Sequence, residues 1–189
     1  FYGPKINELC MHLYSDNSEE IRKACEHLKL SHDTSTPHRS ETNRIAESAV
    51  RKVKEGTSCT LSQSKASDAW WNEAMDCFCF LKNVVDILRT NKTAYHMRFG
   101  ENFRGPIIPF GAEVKYFPLS QEHRSRVHQM ADKNLRGIFA GYKQQAGGGW
   151  SGNLKVMDWD QLDESLNISQ VHLRAVSYTH LRAHETRLN

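Results

Sequence analysis

The spacing of apolar residues changes near residue 103, and this change constrains the fold more than any other feature of the sequence. Before it, apolar side chains recur at helical spacing in three stretches, 18–29, 43–63 and 68–89. After it, glycines and prolines separate short β-like runs at 112–117, 137–143 and 153–159. We therefore predict an α/β part followed by a small β-barrel.

The α/β part is predicted to begin with a buried strand at residues 9–15 and a turn at 16–18. Ser18 is a candidate N-cap for the first helix and Asp68 for the last, and residues 31–42 are expected to form a loop. The predicted apolar faces of the three helices are Ile21, Ala24, Cys25 and Leu28; Ile45, Ala46, Ala49, Val50, Val53, Thr57 and Leu61; and Trp70, Trp71, Ala74, Cys77, Phe78, Leu81, Val85 and Leu88.

Composition narrows the class of protein only slightly. The formal net charge of +3 neither requires nor excludes a nucleic-acid partner. The five cysteines are scattered without a Cys-x-x-Cys pair, which indicates free thiols in a reducing compartment, and Cys77 and Cys79 fit a core better than a metal site. No apolar run approaches the roughly 20 residues of a membrane helix, so we expect no membrane partner.

Two carboxylates are candidates for chemistry. Asp16 stands where the first strand should end, and Glu47 stands in the first turns of the long helix. Thirty residues separate them, enough chain to bring the helix back over the strand end, where two carboxylates can share divalent metal ions. By spacing alone, a turn aspartate and a helix-dipole glutamate are the simpler interpretation, because the chain has 22 acidic residues to form such pairs.

Two cations follow Glu47 along the same predicted helix face, Arg51 at i+4 and Lys54 at i+7. A metal-binding carboxylate with cations further along the face suits a helix lying on DNA, where the cations would meet neighbouring phosphates. A Glu–Arg pair on a solvated face explains the same pattern equally well.

Several short strings occur in an order that resembles one family. They are Ser15-Asp16-Asn17, Thr36-Pro37-His38, Asn43-Arg44-Ile45-Ala46-Glu47, Trp71-Asn72-Glu73-Ala74, Phe110-Gly111-Ala112 and Gly137-Ile138-Phe139-Ala140-Gly141-Tyr142. Over about residues 12–160 this order and spacing resemble the integrases of Ty1/copia retrotransposons. Arg44 and Ser48 depart from the family, which has Gly and Arg at these places, and its interval between the two acids is thirty-five residues rather than thirty.

The resemblance implies a DDE-type polynucleotidyl transferase acting in DNA integration. Residues 1–100 would be the C-terminal part of an RNase H-like catalytic core, and residues 101–174 an SH3-like domain. Asp16 would be the second catalytic Asp and Glu47 the catalytic Glu, and together they would hold Mg²⁺ or Mn²⁺. Arg44, Arg51, Lys54 and His38 would contact DNA, both the element's ends and the target. The complete protein would work as a homo-oligomer in the nucleus, or otherwise in the cytoplasm.

The family's first catalytic Asp belongs on an earlier strand, upstream of Phe1, so we expect no catalysis from this chain alone. A DNA- or protein-binding module without chemistry and the product of a decayed element remain alternatives. Lys115, Lys143 and Lys155 of the β-rich part could contact DNA or simply be solvated. Residues 175–189 resemble translated adaptor DNA and are expected to be a non-native tail.

Overall fold

The computed structural model describes residues 12–15, 17–34, 44–118, 130, 133–164 and 171–183. The chain divides into two compact units, Phe1–Lys52 and Val53–Asn189, with the boundary inside a helix. The first unit contains β1 (His12–Ser15), α1 (Glu19–Leu28), β2 (Ser31–Thr34) and the start of α2 (Arg44–Ser64). The second contains the rest of α2, α3 (Trp71–Val85), α4 (Ala94–Phe99), β3 (Glu113–Tyr116), β4 (Leu135–Gln144), β5 (Trp150–Asp158), α5 (Trp159–Glu164), β6 (Leu173–Ser177) and β7 (Leu181–Ala183). The predicted mixture of helix and strand is confirmed.

In the first unit, β1 and β2 pair in parallel, from His12 opposite Ser31 to Ser15 opposite Thr34. α1 connects them, so the segment is a β-α-β unit. The prediction of a loop over 31–42 was wrong for residues 31–34. Three of the four β2 side chains are exposed, so the ladder to β1 rather than apolar burial holds this strand, and hydrophobic alternation could not reveal it.

α1 confirms the predicted helix but only part of its predicted apolar face. Ser18 is the N-cap residue, yet its hydroxyl donates to Glu20 Oε2 at 2.6 Å instead of capping a backbone N–H. Cys25 is buried, whereas Ala24 and Leu28 are exposed. Arg22 forms ion pairs with Glu19 and Glu26 on the solvated side of the helix.

α2 confirms the long helix predicted over 43–63, and among the stripe side chains that the structure describes, the buried ones lie near its C-terminal end. Thr57 and Leu61 are buried, whereas Ala46, Ala49 and Val50 are exposed. The Thr57 hydroxyl is satisfied by donating to the Val53 carbonyl at 2.8 Å. The helical spacing of Ala46, Ala49 and Val50 therefore predicted a buried face that these residues do not form.

α3 begins differently from the prediction. Ser67, not Asp68, is the N-cap of a short 3₁₀ turn that leads into the helix, and its hydroxyl accepts from the Ala69 N–H. The helix ends at Val85 because Asp86 is extended. The buried face is Trp70, Ala74, Cys77, Phe80 and Val84, whereas the predicted inward residues Trp71, Val85 and Leu88 are exposed by 56%, 48% and 44%.

The second unit contains an antiparallel five-stranded sheet in the order β6-β5-β4-β3-β7. β3, β4 and β5 confirm the three predicted β-like runs, and the glycine-rich segment 147–149 forms the turn between β4 and β5. β6 and β7 were not predicted. β7 and the end of β6 belong to the segment 175–189, whose non-native origin stays a prediction. Within the described strands no ladder joins β6 to β7, so a closed barrel is not shown.

α3 packs on β4, and one buried cluster extends from Leu61 to Val176. At its centre, the rings of Phe80 and Tyr142 stack with centroids 4.4 Å apart, and Phe103 meets both edge-on. The cluster contains residues on both sides of residue 100. The division of the chain into a catalytic-core part and a β-rich part therefore stays a prediction, because the packing shows no boundary there.

Candidate functional site

The first part of the candidate site is the edge where the parallel strands β1 and β2 end. In open α/β sheets, ligands bind beyond the carboxyl ends of such strands. Here the Ser15 hydroxyl and His32 Nε2 are 2.8 Å apart, which joins the last residue of β1 to β2. The sequence placed His32 in a loop, whereas the structure places it in a strand. Asp16, which follows Ser15 in the chain, and His38 lie outside the described residues.

The second part is the N-terminal end of α2. The helix begins at Arg44 and carries Glu47 in its first turn, and both side chains are exposed. The partial positive charge of a helix N-terminus favours a carboxylate there. Arg51 and Lys54, which follow at helical spacing, are exposed as well. The structure thus presents one candidate acid and three candidate cations to solvent on a single helix.

The convergence of Asp16 with Glu47 stays a prediction, because the Asp16 side chain is not described. In the described part of the chain, no group of three or more His, Cys, Asp or Glu side chains could hold a metal ion. Glu47 supplies an exposed carboxylate, which is the donor type that Mg²⁺ and Mn²⁺ prefer.

The cysteine thiols of the second unit are not part of a candidate site. Cys77 is buried, which raises the pKa of its thiol from 9.0 to about 12, and partial burial also raises the pKa of Cys79. Cys25, Cys59, Cys77 and Cys79 are free, as predicted. The thiolate is the nucleophile and the metal ligand, and burial disfavours it, so Cys77 is best explained as part of the core.

The three lysines of the sheet have different surroundings. Lys155 Nζ is 3.4 Å from Asp76 Oδ2, so it links β5 to α3. Lys143 is exposed near the end of β4, and Lys115 on β3 is partly buried. Of the three, Lys143 is the most accessible to a nucleic acid. A DNA contact by any of them stays a prediction.

A buried carboxylate that the sequence did not single out is Asp158, at the end of β5, whose exposure is 0%. Tyr116 Oη donates to its Oδ2 at 2.5 Å, and the Asp160 N–H donates to its Oδ1 at 3.1 Å. Arg174 Nε lies 3.7 Å from Oδ2 and supplies a compensating charge. This network joins β3, β5 and β6 inside the fold. Its one signal in the sequence is an acid that follows Val156 and Met157 in the β-like run 153–159.

The comparisons with known proteins include a distant structural similarity to a viral intasome. No protein-family model matches the chain, and no curated protein matches it. A chain of the simian T-cell lymphotropic virus intasome, solved in complex with the PP2A regulatory subunit B56 gamma, is 14% identical, with a TM-score of 0.37. The match covers 91% of the present chain and 57% of that chain. A likeness this distant leaves the activity to be inferred from the residues themselves.

No helix in the described ranges has both the length and the apolar character of a membrane span.

Proposed function

We propose that the chain is a fragment of a copia-type retrotransposon integrase, which binds DNA through α2 and is inactive as an isolated fragment. One observation carries this proposal: α2 begins at Arg44 and presents Glu47, in its first turn, to solvent. Arg51 and Lys54 are exposed further along the helix. This is the arrangement expected of a helix whose acid meets a scissile phosphate and whose cations meet its neighbours.

The proposed catalytic residues are Asp16 and Glu47. β1 ends at Ser15 and α2 starts at Arg44, which supports the predicted positions of the two acids along the chain, at a strand end and a helix start. Their carboxylate oxygens would hold Mg²⁺ or Mn²⁺, ions that activate a water or 3′-hydroxyl nucleophile when bound. The third ligand of the complete enzyme would be the upstream Asp, so this fragment should bind such ions weakly.

The strands β3 to β5 support an SH3-like domain at 101–174, and the strand order, which includes β7 beyond that domain, indicates that the sheet curls. β6 and β7 occupy opposite edges of the sheet, yet only Tyr178–His180 lies between them. The edges of a flat five-stranded sheet would be roughly 19 Å apart at about 4.8 Å per strand. Four residue steps reach at most about 14 Å, so the sheet has to curl toward a barrel.

The parallel β1-α1-β2 unit followed by α2 supports an RNase H-like core.

The DNA-binding role of α2 is tested with fluorescence anisotropy on duplex DNA over a range of salt concentrations. We expect Lys54→Gln to weaken binding and to reduce the slope of log affinity against log salt by about one, because each neutralised phosphate contributes about 0.9 to that slope. Lys52→Gln is the matched control, because Lys52 is also exposed but lies about 140° around the helix from Glu47. Equal effects of the two changes would contradict the proposal.

The catalytic role is tested in a protein completed with its upstream sequence. We expect Glu47→Gln and Asp16→Asn each to abolish strand transfer while DNA affinity is retained, because the substitutions remove a metal ligand and no cation. Glu55→Gln is the control, since Glu55 is exposed on the same helix about 12 Å further along. Strand transfer that persists in both acid variants would refute the assignment.

A binding module without chemistry is the second candidate function. It is favoured by the exposed cations of α2, which need no acid to hold DNA. Under that function the completed protein would bind DNA with unchanged salt dependence in Glu47→Gln and would show no strand transfer in any form.

The integrase proposal includes homo-oligomerisation and a place in the nucleus or otherwise the cytoplasm. Light scattering tests the oligomeric state, and imaging of a tagged chain tests the localisation.

A further inference from the structure

A groove in the second unit lies where α3 ends and α4 begins, apart from every residue assigned above. Its volume is about 500 Å³, within the range typical of ligand sites. Val84, Val85 and Ile87 line one part of it, and Lys92, His96 and Phe103 line another. An antiparallel bridge between Ile87 and Thr93 holds the connecting loop in a fixed shape. The groove is therefore built by ordered backbone on both sides.

Two of the aliphatic side chains that line the groove are exposed. Ile87 is 70% exposed, and Val85 on the last turn of α3 is 48% exposed. Leu88 and Met97, from the same loop and from α4, are also exposed, and Met97 Sδ accepts from the Thr90 hydroxyl at 3.5 Å. Clustered exposed aliphatic side chains beside a concave surface are typical of a site that a partner covers.

The stretch of chain that builds the groove is positively charged, and one of its cations, Lys92, lines the groove. Between residues 82 and 104 there are five Lys or Arg and two Asp or Glu, so this stretch alone carries as much excess charge as the whole chain, +3. One of the two acids, Asp86, already pairs with Lys82. Over the described ranges, no carboxylate lies within ion-pair distance of Arg89 or Lys92. Lys92 in the lining and the exposed Arg89 in the connecting loop are thus available to a partner's carboxylates.

We propose that this groove binds a short peptide segment of a partner protein that combines aliphatic and acidic side chains. The aliphatic side chains would cover Val85 and Ile87, and the carboxylates would meet Lys92 and Arg89. A nucleic acid fits the groove less well, because single strands bind by stacking bases on exposed aromatic rings. Phe103, the aromatic residue of the described lining, is engaged edge-on with Phe80 and Tyr142.

The test selects phage-displayed random short peptides on the wild-type chain and counter-selects them on an Ile87→Ser variant. We expect the peptides that are enriched on the wild-type chain and survive counter-selection to carry Leu, Ile or Phe together with Asp or Glu. A fluorescent synthetic copy of the most enriched peptide should bind at least about tenfold more weakly to Ile87→Ser, because a buried Ile side chain is removed from the complex. Lys92→Glu should weaken binding by about tenfold at low salt and less at high salt.

Matched controls separate the groove from general surface effects. Leu28→Ser removes an aliphatic side chain with 64% exposure, and Lys143→Glu reverses an exposed cation, both outside the groove. Neither should change peptide affinity. Lys92→Glu removes no apolar packing, so it keeps the test valid if Ile87→Ser perturbs the fold. The proposal fails if basic peptides are enriched or if the groove and control variants bind the peptide alike. It also fails if an oligonucleotide displaces the peptide from the wild-type chain but not from Lys92→Glu, because the groove would then bind nucleic acid.

Discussion

Tyr142 shows how a single residue connects the sheet to the loop before it. Its ring stacks on Phe80, while its hydroxyl accepts from the Ile108 N–H at 2.9 Å and donates to the Pro106 carbonyl at 2.8 Å. Burial raises the pKa of this hydroxyl above its ordinary value of 10.0. The neutral phenol is therefore the form that holds segment 106–108 against β4.

We expect Tyr142→Phe to lower the free energy of unfolding by about 1–3 kcal/mol, because the buried Ile108 N–H loses its acceptor while the ring remains. Urea denaturation measures the change. Tyr178→Phe is the control, since Tyr178 is exposed and its ring packs on Trp150 with or without the hydroxyl. Equal losses in the two variants would show that the hydroxyl bonds of Tyr142 contribute nothing.

Cys77 predicts an alkaline limit to stability. The pKa of its thiol is near 9.0 in the unfolded chain and near 12 in the folded one, because burial disfavours the thiolate. The folded state therefore binds more protons within this window, and stability falls as pH rises from 9.0 toward 12. Cys77→Ala should reduce this slope in urea titrations carried out across this pH window. An unchanged slope in Cys77→Ala would contradict the burial effect.

The sequence predicts a functional residue when the residue's own chemical group and its spacing carry the information. It does not predict a residue whose environment is formed by neighbours distant in the chain. Glu47, Arg51 and Lys54 were predicted from spacing, and the structure places all three on one exposed helix. The burial of Asp158 could not be predicted because an acid near the end of a β-like run looks like a strand terminus. Its burial depends on Tyr116 and Arg174, which are distant in sequence.

At the scale of elements, helical spacing was sufficient to predict α1, α2 and α3, but not which side of α3 is buried. In the sequence, Trp71, Val85 and Leu88 are as apolar as Phe80 and Val84, so helical spacing does not show which set is buried. The packing of α3 on β4 decides which set is buried, and that packing joins segments far apart in the chain. β2 could not be predicted for a related reason: its stabilising partner is the backbone of β1.

The central strand β4 depends on the absence of a side chain at Gly137. A Cβ there would lie 2.6 Å from the Met157 carbonyl oxygen and 2.6 Å from a methyl group of Val156. We expect Gly137→Ala to destabilise the chain by about 1–3 kcal/mol, because the backbone of β5 would have to move. Thermal unfolding followed by circular dichroism measures this.

Gly149→Ala is the control for Gly137→Ala. Its added Cβ would meet nothing closer than Phe99 Cε1, at 3.5 Å, which is an ordinary van der Waals distance. The control should therefore change stability by less than about 1 kcal/mol. If Gly137→Ala were as well tolerated as the control, the close approach of β4 to β5 at this position would be wrong.

For the whole molecule, the division into two compact units predicts that the second unit is stable without most of the first. The large buried cluster runs from Leu61 to Val176, entirely within the second unit. We expect deletion of residues 1–43, which keeps α2 intact, to change the free energy of unfolding by less than about 1 kcal/mol. All four tryptophans lie beyond residue 53, so their fluorescence in urea reports this unit.

The full chain is the control for that deletion. Both proteins should show one cooperative transition with the same midpoint and the same dependence on urea. A broad transition in the shortened chain would mean that the first unit contributes to the fold of the second. The outcome would also decide whether DNA binding by Lys54 can be studied without the segment that contains Asp16.

The strand order of the sheet has a consequence for solubility. Residues 173–183 supply both outer strands, β6 beside β5 and β7 beside β3. Loss of this one stretch would expose two rows of unpaired backbone N–H and C=O groups at once, each a template for a strand of another molecule. A chain shortened there should self-associate edge to edge, by strand exchange or fibre growth, before it loses its helices.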